Sequence, residues 1–455
     1  MTFRDQIDLR PVGRLQYLVL SLCVLCSVAE GFDIISMSIA VVPLTAEWQL
    51  SGTLTGLLLS MGPAGMILGA VGLAPLADRY GRRKLLLLSV TLVAAGMLAS
   101  ALAPNVEVLL ATRFLAGIGM GAVIPILALV VGEFFPVHRR ATAIGISTIG
   151  NPAGAAVGGA VGAGLIAAFG WHAIFAAGGV ATVGIVIALA ILLPESPDFL
   201  DAHAGDRKYA AAKAKLQKFL TNIPEADVSI PARNRKELRG AMSSGFRLQS
   251  KAMVLLALVF ITANGAYYLA NLWLPRLLIL SGLGEADGIR SVTFFSLGGA
   301  CGGLLFALIT IRCSAFTGCL ALLSGGVASF LVMAVTASHL IGAYATAFVL
   351  GMCMLGVLGG LYALAPLLFR TEARASALGI AGGFGRVGTT LGPLGIGMLV
   401  DRGWSPASLF NLAVVPTLVA VIGIVVLSAW RRRALVMQIP EDAMPSSVGQ
   451  TSKVG

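Results

Sequence analysis

Four ionisable side chains lie inside long apolar runs: Glu30 and Asp33 in the first, Arg113 in the fourth and Arg386 in the eleventh. At the centre of a membrane helix each costs about 2.5–3.5 kcal/mol on the insertion scale, so a chain keeps them where they pair, are hydrated or do work. Glu30 and Asp33 stand three residues apart, which puts both carboxylates on one helical face. Two acids that close do not ionise together easily, and an acid left neutral is a proton carrier. The spacing admits two readings. Asp33, with Glu30, binds and releases a coupled proton, or the acids form a structural ion pair with a cation on another span. Arg386 sits mid-run in Gly383-Phe384-Gly385-Arg386-Val387-Gly388. A permanently charged planar fork at that depth suits a carboxylate ligand, and it also suits Glu30 or Asp33 in the empty protein. The Gly-x-Gly-x-x-Gly in the same stretch follows no strand and is not a dinucleotide fingerprint. Arg113 opens Arg113-Phe-Leu-Ala-Gly117-Ile-Gly119-Met-Gly121 near one end of its run. There it is expected to snorkel as a structural charge or to relay a proton.

A polar stripe follows in the seventh run. Asn264, Tyr267, Tyr268 and Asn271 are spaced by three and four, hence on one face. They suit a hydroxylated or aromatic ligand, or hydrogen bonds between helices. Trp273, beside Pro275, is expected to anchor at the membrane interface. Gly150, Gly154, Gly158 and Gly162 recur every fourth residue and predict close helix packing, not a ligand site. Pro63, Pro125, Pro152, Pro366 and Pro393 are expected to kink their helices. A charge cluster is formed by Asp78, Arg79, Arg82 and Arg83 with Glu133, Arg139 and Arg140. Its cations fix topology. Asp78 and Glu133 add little to topology and are expected to gate.

These groups need membrane helices to position them. The chain has 455 residues, 57% hydrophobic and 12% charged, where a soluble protein carries about 25% charged residues. Twelve apolar runs are long enough to span a bilayer: 15–42, 54–77, 85–103, 108–132, 141–168, 172–193, 252–275, 291–311, 315–336, 340–369, 376–400 and 407–430. With the N-terminus inside, all Lys and Arg except Arg113, Arg276, Arg290, Arg386 and Arg402 fall on cytoplasmic segments, which predicts two cytoplasmic termini. That distribution also argues against nucleic acid as the partner behind the net charge of +11.

The chain reads as a cytoplasmic N-terminus (1–14), a six-helix half (15–194), a polar linker (195–251) with short amphipathic helices such as Tyr209 to Leu220, a second six-helix half (252–430) and a cytoplasmic tail (431–455) expected to be disordered after Arg433. The halves repeat: an offset of 234 lays Phe135, Arg140, Gly145, Gly154 and Gly158 on Phe369, Arg374, Gly379, Gly388 and Gly392. The six cysteines lie in or beside apolar runs, which predicts free thiols. The four histidines have no metal-ligand spacing, and no hydrolase or metalloprotease motif occurs. No enzyme, metal or cofactor is expected.

The turn Leu76-Ala-Asp78-Arg79-Tyr-Gly81-Arg82-Arg83, the Arg113 motif and Pro194-Glu195-Ser196-Pro197 closing the sixth run resemble the major facilitator superfamily over nearly all of 15–430. Glu30-Gly31-Phe32-Asp33 and Arg386 make the chain most similar to its aromatic acid:proton symporter family. Three departures stand out: Glu30 replaces the first Asp of that family's pattern, Ala74 replaces a loop glycine, and the second-half copy of the turn is reduced to Thr310-Ile-Arg312-Cys313. The resemblance implies an all-α protein of twelve transmembrane helices in two halves, monomeric, in a bacterial inner membrane. It further implies import of a benzoate- or hydroxybenzoate-like anion with protons, Asp33 and Glu30 coupling the protons and Arg386 holding the carboxylate. Alternatives on the same scaffold are a muconate or lactone carrier, a sugar porter and a drug antiporter. A non-transporting membrane sensor is a different class.

Overall fold

A computed structural model of the chain describes residues 3–8, 11–203, 209–221, 246–369 and 371–436. Twelve long helices dominate it. The first half holds α1 (Arg14–Glu47), α2 (Gly52–Tyr80), α3 (Arg82–Ala101), α4 (Val106–Phe134), α5 (Val137–Phe169) and α6 (His172–Leu192). The second holds α7 (Phe246–Leu280), α8 (Glu285–Arg312), α9 (Ala315–Thr336), α10 (Leu340–Tyr362), α11 (Thr371–Asp401) and α12 (Pro406–Val436). Among the described residues, eleven helices are long and apolar enough to cross a membrane. The other long helix, α11, carries Arg386 and packs among them. Residues 204–208 and 222–245 of the predicted linker, and the tail from 437, lie outside the described residues; the rest of the linker holds the helices Pro197–Ala202 and Ala210–Thr221, and its last six residues, from Phe246, already belong to α7.

Local chemistry explains the boundaries. Ser51, Asn105 and Ser314 cap the starts of α2, α4 and α9, each oxygen accepting a backbone N–H three residues on. The α2–α3 turn pivots on Gly81 at φ +101°, where a Cβ would also sit 2.5 Å from Oε2 of Glu195. Two predicted spans differ from the structure. The run 340–369 breaks after Tyr362, and Ala365–Leu368 forms a separate turn, because Pro366 cannot donate the bond that would continue α10. α5 starts earlier, at Val137, and is interrupted at Ile149, just before Gly150 and Pro152. α2 changes form too, with a π turn at Gly69–Leu73 and a 3-10 turn at Ala74–Leu76.

The internal repeat is a packing repeat. α1 lies on α5 as α7 lies on α11, and the pairs α2–α4, α3–α4 and α3–α6 recur as α8–α10, α9–α10 and α9–α12. The glycine ladder of α5 faces α1: a Cβ at Gly154 would fall 2.0 Å from the Val28 carbonyl oxygen. Its repeat mate Gly388 meets the Ile261 carbonyl of α7 at the same 2.0 Å.

The halves touch through α2–α11, α5–α8 and α1–α7. On the face opposite the chain termini one apolar cluster contains residues of both halves. On the terminal face the core divides into one cluster drawn from the first half and one drawn from the second. The bundle is therefore closed on the far face and parted on the terminal face. Gly154→Leu is expected to abolish monodisperse protein in detergent chromatography. Gly164→Ala, where a Cβ meets nothing within 4 Å, is expected to leave the elution profile and melting temperature unchanged.

Candidate functional site

The four charges named by the sequence meet at mid-bundle, in two groups. Asp33 and Arg113, each 3% exposed, form an ion pair with Nη1 to Oδ1 at 2.8 Å. The rest of the guanidinium is satisfied as well. Nε donates to Ser100 Oγ at 2.9 Å, Nη2 donates to the Gly96 carbonyl at 3.0 Å, and the plane lies 4.6 Å from the Phe175 ring centroid. α1, α3, α4 and α6 are thus joined at one cation. This corrects the expectation that Arg113 snorkels: it is held in the interior by a carboxylate, a hydroxyl, a carbonyl and a ring.

Glu30 and Arg386 make the second group. Glu30 is 3% exposed, Asn151 of α5 lies beside its carboxyl, and its Oε1 has no partner among the described residues. Arg386 reaches across the halves and donates to the Met66 carbonyl of α2 at 3.2 Å. Its charge acts on Glu30, on Tyr268 and on Tyr362. A guanidinium carries five N–H donors, so one bond to a carbonyl leaves most of the fork open. Tyr362 went unnoticed in the sequence because it stands alone near the end of an apolar run. Its hydroxyl lies 3.5 Å from where a Cβ on Gly382 would sit, one turn before Arg386.

The α7 stripe divides among three environments. Tyr268 lines a cavity of ≈ 20 Å³ with Asp33 and Arg113, room for about one water molecule. Tyr267 packs edge-on to Tyr268, 5.2 Å between centroids, and tilted on Phe295 of α8 at 5.8 Å. Asn264 turns back to donate to its own helix at Phe260, 2.8 Å away, and lies against Gly385. Asn271 sits at the closed face, where its carbonyl accepts from Ser38 Oγ of α1 at 3.1 Å. Only Tyr268 adjoins both charge groups. Trp273 also departs from expectation: it is 1% exposed, and its Nε1 donates to the Pro393 carbonyl at 3.0 Å. It is a core ring rather than an interface anchor, because α11 supplies the acceptor its indole needs.

On the terminal face Arg82 bridges Asp78 at 2.9 Å and Glu133 at 3.1 Å, and Glu133 also accepts from the Ser196 hydroxyl. Glu195 accepts the backbone N–H of Arg83 at 3.0 Å, and the Arg83 side chain donates to the Ala190 carbonyl. Arg140 lies against Gly132, while Arg79 and Arg139 are exposed. These bonds all fall within the first half. They brace α2, α3, α4 and the Pro194–Pro197 corner while the two halves stand apart on this face. Among the described residues, no group of three or more His, Cys, Asp or Glu could hold a metal ion.

Comparison with known proteins gives a consistent picture. The model of the Major Facilitator Superfamily matches residues 22–312. A gallate transporter of Pseudomonas putida is 33% identical over 95% of this chain and 96% of its own length. A 4-hydroxybenzoate transporter of the same organism is 29% identical over 92% of this chain and 94% of its own. The crystal structure of a D-xylose-proton symporter superposes with a TM-score of 0.70 at 16% identity, covering 90% of this chain and 97% of that one.

Asp33→Ala is expected to destabilise the bundle by about 3–5 kcal/mol, because it leaves a buried cation unpaired. Asp33→Ala with Arg113→Met is expected to recover much of the loss. Thermal unfolding in detergent checks both.

Proposed function

This chain belongs to the major facilitator superfamily of membrane transporters, and we propose that it imports an aromatic carboxylate with protons by alternating access. The observation that carries the reading is the mid-bundle Arg386, whose fork keeps donors open beside tyrosine rings and an incompletely bonded Glu30. A planar bidentate donor is a receptor for a carboxylate, and the phenols of Tyr268 and Tyr362 offer ring contacts and hydrogen bonds to a hydroxylated ring. Relatives named for gallate and 4-hydroxybenzoate support the substrate class. An open guanidinium favours an anion over a sugar or a cationic drug.

Asp33 is the proposed proton site. Charged, it neutralises Arg113. Protonated, it releases that cation, and the four helices gathered there lose the charge that holds them in register. Glu30 answers to the substrate group, since its carboxylate and the incoming anion compete for Arg386. Tyr267, Asn264 and Asn271 shape the wall. Asp78, Arg79, Arg82, Arg83, Glu133, Arg139 and Arg140 are assigned to the cytoplasmic rim, where Asp78 is the acid poised to close on the second half. The cation-rich terminal face then lies in the cytoplasm of a bacterial inner-membrane protein that works as a monomer.

Proteoliposomes loaded with this protein are expected to accumulate radiolabelled 4-hydroxybenzoate when an inward proton gradient is imposed, and to lose it when the gradient is dissipated. Asp33→Asn is expected to abolish accumulation yet retain exchange. Arg386→Lys is expected to raise the KM for the acid about tenfold, since a charge-assisted bond of the fork is worth about 1.5–3 kcal/mol. No uptake by inserted protein overturns the substrate assignment.

A further inference from the structure

The closed face holds a contact that neither the sequence motifs nor the transport site accounts for. Asp401, the last residue of α11, reaches across to the other half and caps the start of α2. Its Oδ1 accepts the Gly52 N–H at 2.5 Å, and its Oδ2 accepts both the Thr53 N–H at 2.7 Å and the Thr53 hydroxyl at 2.5 Å. The first N–H groups of a helix have no partner within the helix and carry partial positive charge, so a carboxylate is the group they bind best. α2 has a cap of its own, Ser51, but that hydroxyl serves Leu54. The N–H groups of Gly52 and Thr53 are left for the second half.

The surroundings make the contact depend on closure. Below Asp401 the two helices meet backbone to backbone: a Cβ on Gly397 would lie 2.1 Å from the Gly52 carbonyl, and one on Gly56 would lie 2.7 Å from the Pro393 carbonyl. Any opening of the far face draws these backbones apart and takes the carboxylate off the helix start. Asp401 is exposed, so water is at hand to replace it. Asp287, another acid on this face, differs: it pairs with Arg290 and accepts from Tyr344 inside its own half.

We propose that Asp401 is the latch of the outer gate, a cross-half helix cap that is made when the protein opens inward and broken when it opens outward. The latch rests on the alternating-access reading but on no particular solute. It sets the balance between the two states rather than binding cargo.

The test is double electron–electron resonance on the full chain in nanodiscs, without substrate. The exposed thiols are removed as Cys301→Ser and Cys313→Ser. One spin-label pair reports the far face, Leu102→Cys with Ile341→Cys. A second reports the terminal face, Val137→Cys with Ile311→Cys. All four label positions are exposed. Asp401→Asn is expected to lengthen the far-face distance and shorten the terminal-face distance in a new population. The outward-to-inward ratio should rise about two- to fivefold, the effect of taking a negative charge from a helix start and leaving one acceptor oxygen where there were two. Thr53→Val, which removes one of the three bonds, is expected to shift the ratio in the same direction by less. Asp287→Asn is expected to change neither distance. Unchanged distributions in Asp401→Asn overturn the latch, as does an equal shift from Asp287→Asn. Should Asp401→Asn not fold, Thr53→Val decides alone, and unchanged distances there also overturn it. Failure to transport 4-hydroxybenzoate has no bearing on these distances, so the two proposals fail separately.

Discussion

A charge in hydrocarbon must find its opposite, and that constraint orders the centre of this molecule. Asp33 and Arg113 come from helices far apart in the chain, and neither could be buried without the other. Their pairing is costly even when well made, because both ions lose water. Ser100, Gly96 and Phe175 supply what water would have given the cation. Once the pair is fixed, α1, α3, α4 and α6 are set in register around it. Glu30, one turn from Asp33, is thereby turned toward α5 and Arg386.

The second charge group is left incomplete, and the contrast between the two is informative. Each nitrogen of Arg113 is bonded inside its half. Among the described residues Arg386 makes one bond, across the halves, and shares its field with an acid and two phenols. A satisfied cation resists change, whereas one with donors left over has room for a further acceptor. Tyr268 lies beside both groups and lines the small cavity next to Asp33. Met66 lines the same cavity and its carbonyl accepts from Arg386, so it too lies beside both groups.

Much of this was legible in the residues. Apolar run length gave the helices their places, and the intramembrane charges announced themselves by cost alone. The glycine ladder foretold close packing of α5 without naming α1 as its partner, and the partner of Gly388 on α7 was not read at all. Other features were hidden for a physical reason: hydropathy reports depth along a helix but not the direction a side chain faces. Arg113 therefore looked able to snorkel, and Trp273 looked like an interface ring, although both point inward. The α7 stripe was read correctly as one face, yet a face as long as Asn264 to Asn271 passes through several environments. Asp401 drew no notice in the sequence, since nothing near it signals a helix start about 350 residues earlier.

The seam between α2 and α11, where Gly52 and Gly56 lie on Pro393 and Gly397, has one more consequence. Burying a long side chain freezes its rotamers at a cost of about 1.5–2 kcal/mol, and glycine has none to freeze. A contact made of bare backbone therefore orders almost nothing when it forms and releases almost nothing when it parts. At this seam the halves can meet and separate with little change in side-chain entropy. Small influences, such as one carboxylate, one proton or one bound anion, are then large enough to decide which way the bundle leans.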